Sequence, residues 1–376
     1  MELTQISTLL NEAIVPNMLG EETTIAEDLS NVVELGTAID DLTGEEVENF
    51  AKNILVGVAR NVFDTRKYRS ETYGLMNDSR EYGGVIQRVK AKLLDTVDSH
   101  IWTLENGVDY FDGKYHGIET DVKVYSKDSA FKIPNSIPSE MFKQYFTSAD
   151  GVRSFISLIE NTVDNTVTLN LNGLARTTLQ QLASTIAQTR SINLLTIYNA
   201  NAGTTLTADE ALHNASFLRW SAQQIVRLRN LTRDYNEKYN DGTIPTFTPS
   251  EDLRVTLLDE FASALMFNME SDTFHNDLVS VGEYNTINFW QNASSDLLPS
   301  LSETAEIKTV VGEGDPTTIT NVVGLIYDRY TAGLTARLSK VTATYIGAED
   351  FTNYYHHVAN SRFIDTRNTA ILLRLA

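Results

Sequence analysis

The sequence predicts an α+β protein with one long extended excursion, and three observations point there. Apolar residues recur at helical spacing over about 44–62, 148–190 and 207–239. Between about 80 and 135 the pattern is extended, with aromatic and β-branched residues around Asn106-Gly107 and Asp112-Gly113, two dipeptides that favour tight hairpin turns because they tolerate positive φ. After Asn240-Asp241-Gly242, short apolar runs alternate with turn residues to the end of the chain. At 376 residues and 42% hydrophobic content the chain holds two domains, or one large domain with excursions.

Each element follows in order. Residues 1–42 are polar, acidic and weakly periodic, an extended arm with short helical pieces. Thr43-Gly44-Glu45-Glu46 is a capping box and opens a helix over about 44–62, with Val47, Phe50, Ile54 and Val58 on one stripe. The excursion at 80–135 reads as a long two-stranded ribbon, which is marginal in water unless a core or a neighbouring subunit supports it. Helix dominates 148–190, through Phe155, Ile159 and Val163 and then Leu171, Leu179 and Ile186. The β-branched, Asn-rich run Thr162–Thr168 is expected to bend or break it. A second capping box, Thr207-Ala208-Asp209-Glu210, opens a helix to about Tyr239 that carries Arg219, Arg227, Arg229 and Arg233. Arg254–Phe261 reads as strand, followed by a short helix near Ser263–Met269 and a strand within Leu278–Phe289. Residues 291–320 read as loop, Val322–Tyr327 as a compact strand, and Phe363–Leu375 as a terminal strand returning to a sheet begun earlier.

Charge is distributed unevenly. The first fifty residues hold twelve acids and no lysine or arginine, while Arg60–Lys92 holds eight bases against four acids. Composition alone favours a solvated acidic tail; the sign reversal points to a chain that pairs with copies of itself. A net charge of −20 is incompatible with gripping nucleic acid by counterion release. With no cysteine, disulfides, thiolate catalysis and cysteine metal sites drop out, which fits a cytosolic origin. Met1–Leu10 lacks the features of a signal peptide, and no run approaches the length of a membrane span.

A search for chemistry finds little. The six histidines show no metal-ligand spacing, and His356-His357 are expected on opposite faces of a strand. There is no nucleophile elbow and no Walker lysine. Asp234, Asn236 and Lys238 echo a calcium loop whose required glycine is Tyr239. No cofactor and no catalytic or metal site is expected, and a structural or assembly protein is favoured over an acidic cytosolic enzyme.

Three segments carry a resemblance: Gly151–Ile159 (GVRSFISLI), Asp252–Leu258 (DLRVTLL) and Tyr354–Phe363 (YYHHVANSRF). In this order, between an extended loop and a closing strand, they resemble the major capsid protein of tailed bacteriophages, the Hong Kong 97-like fold, and among these the phi29-like short-tailed phages. The resemblance covers about residues 75–376. It implies an acidic N-terminal arm and helix at 1–62, an E-loop and first P-domain strands at 63–135, and a P-domain with a long spine helix at 136–194. An A-domain at 195–345 and a C-terminal return to the P-domain at 346–376 complete it. The implied function is a self-assembling shell subunit that forms hexamers and pentamers of an icosahedral head, works with scaffolding protein and portal, and encloses double-stranded DNA without binding it tightly. Such a protein resides in the virion, is made in the bacterial host cytoplasm and touches no membrane. A cellular nanocompartment shell is the alternative on the same fold. The expected interface residues are Glu21, Glu22, Asp40 and Asp41 of the arm, facing Arg66, Lys67 and Arg69 or the Arg219–Arg233 helix, and Trp102, Tyr110 and Phe111 on the ribbon. Lys114 is a candidate for cross-linking chemistry, against the plainer reading of a solvated turn residue.

Overall fold

The computed structural model describes residues 7–8, 10–11, 25–27, 75–77, 86–94, 96, 99, 102–109, 116–125, 127–138, 149–270, 283–291, 299–309, 317–349 and 351–375. Along the chain these form β1 (Met76–Asn77), β2 (Ile86–Ala91), β3 (Thr120–Tyr125), β4 (Lys127–Pro138), α1 (Ala149–Ile186), β5 (Ser191–Asn193), α2 (Leu194–Ala202), α3 (Ala208–Leu212) and α4 (Ala215–Leu231). Then follow β6 (Leu253–Leu258), α5 (Asp259–Glu270), β7 (Asn285–Ile287), α6 (Leu301–Thr304), β8 (Ile307–Thr309), β9 (Thr317–Ile319), β10 (Val322–Asp328), β11 (Ala332–Ile346), β12 (Phe351–Ile364) and β13 (Ala370–Arg374).

The core forms around a five-stranded sheet in the order β5-β13-β10-β6-β7. β10 lies at its centre, antiparallel to both β13 and β6, and all seven of its residues are buried. A strand covered on both faces reads as a continuous apolar run, as Val322–Tyr327 does. Leu182 and Ile186 of α1, Phe217 and Ile225 of α4 and Phe261 of α5 pack with it in one cluster. Trp290 ties loops to this core: its Nε1 donates to the Val322 carbonyl at 2.8 Å, and its own carbonyl accepts from the Gln180 amide.

A second sheet has the order β1-β11-β12-β4. β11 and β12 form a long antiparallel hairpin, and β4 pairs with β12 from Phe351↔Pro138 to Arg362↔Lys127. β12 alternates between half-buried and buried residues along most of its length. His356 is therefore buried, whereas His357 faces the other way and meets the Thr342 hydroxyl at 2.9 Å. Burial, and secondarily the neighbouring His357, push the His356 pKa down. Among the described residues β2 and β3 pair only with each other, and so do β8 and β9.

Several elements differ from expectation. α1 runs unbroken through Thr162–Thr168. Thr162, Thr166 and Thr168 each donate to the carbonyl four residues back at 2.8 Å, and Asn170 does the same, so the polar groups that threatened the helix are satisfied inside it. The helix opened by Thr207 stops at Leu212, because the Asn214 side chain accepts from the Phe217 N–H and starts α4 as a new N-cap. α4 ends at Leu231, short of Tyr239. The strand at Arg254 closes at Leu258, and α5 begins at once with Asp259 and Glu260, acids favoured in a first helical turn. Residues 291–320 contain α6 and the β8–β9 hairpin besides loop. The terminal segment is two strands: the Asp365 carboxylate accepts from the Arg367 N–H at 3.2 Å, a side-chain turn that lets the chain leave β12 and enter the other sheet as β13. The helix expected at 44–62 lies outside the described residues, as does 278–282 of the strand expected within Leu278–Phe289.

Parts of the arm are placed. Ser7, Leu10 and Ile25 are buried within the chain. Asn11 brackets Ile25, its amide donating to the Ile25 carbonyl at 3.1 Å and its oxygen accepting from the Ile25 N–H at 2.7 Å.

Candidate functional site

The ribbon β2–β3 has its amphipathicity inverted. Its register runs Ile86↔Tyr125, Arg88↔Lys123, Val89↔Val122, Lys90↔Asp121 and Ala91↔Thr120. Successive side chains of a strand point to opposite faces. Arg88, Lys90, Asp121, Lys123 and Tyr125 are the half-buried set and turn toward the body, whereas Val89, Val122 and Val124 are exposed. The charged face is thus inside and the apolar face outside.

Beyond the ladder the apolar exposure continues. The Lys92 N–H donates to the Glu119 carbonyl at 2.9 Å, and the chain then opens into a tip. Leu93, Leu94, Leu104 and Ile118 are exposed there, and Trp102 is 93% exposed. Asn106-Gly107 forms a turn closed by the Val108 N–H and the Glu105 carbonyl at 3.4 Å, with Gly107 at φ 90°, a conformation that suits glycine. No ladder flanks this turn among the described residues.

The root of the ribbon is a charged joint. The Arg367 guanidinium grips Asp365 with a two-point fork, Nε to Oδ1 at 2.9 Å and Nη2 to Oδ2 at 2.8 Å. Its Nη1 donates to the Asp121 carbonyl at 2.9 Å and carboxylate at 3.0 Å, and Nη2 donates to the Arg88 carbonyl at 3.2 Å. The Lys90 ammonium caps the Arg367 carbonyl at 2.9 Å. Arg88 stacks over the Phe363 ring at 4.1 Å and donates to the Tyr330 carbonyl at 3.0 Å. At the flank, Lys123 meets Asp241 at 3.4 Å, and Asp241 also accepts from the Thr366 hydroxyl at 3.3 Å.

The electrostatics match this geometry. Hydrogen bonds from Arg367 to Asp365 raise the Arg367 pKa further above its ordinary value, against a smaller opposing effect of burial. Burial alone pushes the Asp365 carboxyl up, but the Arg367 hydrogen bonds and charge outweigh it and leave the carboxyl below the usual range. Asp241 behaves alike, burial being outweighed by hydrogen bonds from Thr243 and by Lys123. Burial, and then the Asp365 charge, raise the Tyr125 phenol. Burial lowers Arg88 and Lys90, with Asp365 opposing. Removing a partner from such a joint strands a buried charge, which is why it holds as a unit.

Of the residues expected at an interface, Trp102 stands exposed at the tip. Glu21, Glu22, Asp40, Asp41, Arg66, Lys67, Arg69, Tyr110, Phe111 and Lys114 lie outside the described residues, as does the second turn, Asp112-Gly113. Arg219 and Arg227 are exposed on α4. Sequence reasoning missed the joint of Arg88, Lys90, Asp121, Asp365 and Arg367. Its one local signal was an Asp-Thr-Arg interrupting an apolar terminal run. Among the described residues no group of three or more His, Cys, Asp or Glu is arranged to hold a metal ion, and no helix is long and apolar enough to cross a membrane.

Comparison with known proteins gives this arrangement a context. Among curated proteins no relative matches the chain. A chain in the capsid structure of Staphylococcus phage Andhra is 12% identical with a TM-score of 0.54, over 80% of this chain and 82% of that one. A chain in the structure of the head fibre and inner core protein gp22 of native bacteriophage P68 is 11% identical with a TM-score of 0.52, over 80% of this chain and 83% of that one. At these identities the likeness concerns the fold, an α+β architecture of the Hong Kong 97-like kind. The family model for the Phi29-like phage major capsid protein matches residues 12–373. With nearly the whole sequence inside that match and the fold shared with phage capsid structures, the chain belongs to the Phi29-like phage major capsid protein family.

Proposed function

We propose that this chain, a shell-forming capsid subunit of a phage virion, holds its neighbours by laying the β2–β3 ribbon and its tip across an adjacent copy of itself. One observation carries the reading: the ribbon turns its charges to its own body and its valines outward. An apolar face on a lone ribbon is a liability in a free chain and an asset where a second copy covers it. Each contact is modest; repeated over every copy of a shell, such contacts give stability through multivalency.

On this reading residues 63–135 are the E-loop and first P-domain strands, 136–194 the P-domain with α1 as its spine, and 195–345 the A-domain. Pairing of β12 with β4 and β11 supports a return to the P-domain that begins at Ala332, inside the 195–345 range, and ends at Ile364, short of 376. We assign β13 to the A-domain sheet, because its partners are β10 and β5. The acidic arm, through Glu21, Glu22, Asp40 and Asp41, meets basic surface of neighbouring copies such as Arg66, Lys67 and Arg69. The subunits gather as hexamers and pentamers of an icosahedral head, with a scaffolding protein and a portal, after synthesis in the host cytoplasm. The net charge of −20 suits a wall that encloses double-stranded DNA and repels its phosphates, leaving it free to slide. The role is structural, not catalytic.

Deleting residues 105–116 tests the reading. A soluble, folded chain that fails to close shells, as judged by electron microscopy, is the expected result; normal shells from that deletion overturn it.

A further inference from the structure

We infer that Arg367 is a positioning residue that fixes the angle at which the ribbon leaves the body, and that shell closure depends on that angle. The inference rests on the reading of the ribbon as the element that reaches a neighbouring copy.

Arg367 is fully buried, yet it belongs to neither sheet and to no helix. It sits in the turn between β12 and β13, so its backbone is held by both sheets at once. Its guanidinium uses one edge to grip Asp365, beside it in the turn. The remaining donors go to the Arg88 carbonyl on β2 and to the Asp121 carbonyl and carboxylate on β3, so one side chain holds both strands of the ribbon. Lys90 returns the contact to the Arg367 carbonyl.

This matters because apolar packing does not hold the ribbon beyond its root. Ile86 is buried, and the Tyr125 ring lies 6.1 Å from the Phe363 ring. From Arg88 outward the inward side chains are Arg88, Lys90, Asp121 and Lys123, while the valines face solvent. Apolar burial is non-directional, whereas a planar fork with hydrogen bonds in fixed directions sets an orientation. The Lys123–Asp241 pair is half-exposed and adds little by itself. A lysine at 367 would keep the charge but could not serve Asp365 and both strands together.

The test uses the full-length chain, unassembled at low concentration, as R367K and as D121A, with amide hydrogen exchange read by mass spectrometry. D121A removes only the ribbon's carboxylate and leaves the body untouched. In R367K, exchange of 86–91 and 120–125 is expected to rise by about tenfold or more while 370–374 stays within about twofold of the parent, and shells fail to close. D121A is expected to loosen the same two strands by a smaller factor. Unchanged ribbon exchange in R367K overturns the inference. So does an equal rise at 370–374, which would make Arg367 a general stabiliser of the fold. A loosened ribbon with parental shell yield overturns the link to closure; the 105–116 deletion then decides separately whether the ribbon docks on a neighbour at all.

Discussion

Replacing Val89, Val122 and Val124 together by threonine tests the outer face of the ribbon. Threonine keeps the β-branch and the strand preference, and a Thr–Thr pair is a favourable replacement for the directly opposed Val89 and Val122. The three valines are 58%, 45% and 60% exposed in the free chain. Its stability should therefore change by no more than about 0.5 kcal/mol. In a dry contact with a second copy the outcome differs, because each buried hydroxyl without a partner costs about 1–3 kcal/mol. The hydroxyls at 89 and 122 can pair with each other, so the one at 124 sets the floor, about 1 kcal/mol per ribbon, a weakening of about fivefold or more in association. The assay pairs thermal melting of the unassembled chain with sedimentation and electron microscopy across a concentration series. Unchanged melting with a shell threshold raised by about fivefold or more is expected. A variant that melts like the parent and assembles at the parental threshold refutes the reasoning, since the outer face would then not be buried in the shell.

Other consequences follow from the body and the joint. Gly324 lies in the centre of the main sheet, where an added Cβ would stand 2.7 Å from Leu257 Cδ2 and 3.3 Å from both Leu373 Cδ1 and the Thr256 carbonyl. G324A should cost about 1–3 kcal/mol by overpacking, and melting at the parental temperature would contradict that. Removing 368–376 takes away Ile371, Leu372, Leu373 and Leu375, all buried, and with them the strand between β10 and β5. The truncated chain should aggregate; native melting behaviour would show the strand to be dispensable. Asp365 and Asp241 both hold depressed pKa values in the folded chain. Their contribution is complete above pH about 4 and is lost as pH falls through the folded values. Ribbon exchange, corrected for its intrinsic pH dependence, should therefore rise below about pH 4. Asp328, whose carboxyl is raised by burial, takes up its proton on the same descent and favours the folded body, so the loosening should be confined to the ribbon. Flat ribbon protection between about pH 5 and about pH 3 would count against the joint.

Elements whose signal is local were legible in the sequence. Val322–Tyr327 and the apolar end of Phe363–Leu375 read as strand because a strand covered on both faces is continuously apolar, and β10 and β13 both lie inside the sheet, although the expected terminal strand also took in the turn between β12 and β13. The helical stripe through Phe155, Ile159 and Val163 likewise persists, and these residues are buried. The break expected in that helix failed because propensity does not register hydrogen bonds that threonines make back to their own helix. The long helix expected after Thr207 failed for the converse reason: Asn214 was available as a cap inside an otherwise helical pattern.

The charged joint could not be read that way. Arg367 meets Asp121 and Arg88 across 246 and 279 residues, and no period of 2 or 3.6 encodes a contact at that distance. The ribbon makes the same point more sharply. The alternation in IQRVKA and TDVKVY determines by itself that the two strands have one apolar face and one charged face. It does not determine which face turns inward, because the pattern is identical either way, and the usual expectation of apolar side chains inside would have reversed the ribbon. The tertiary structure decides it. The surface beneath the ribbon is the turn that carries Asp365 and Arg367, flanked by Asp241, and only the charged face can satisfy those groups away from water.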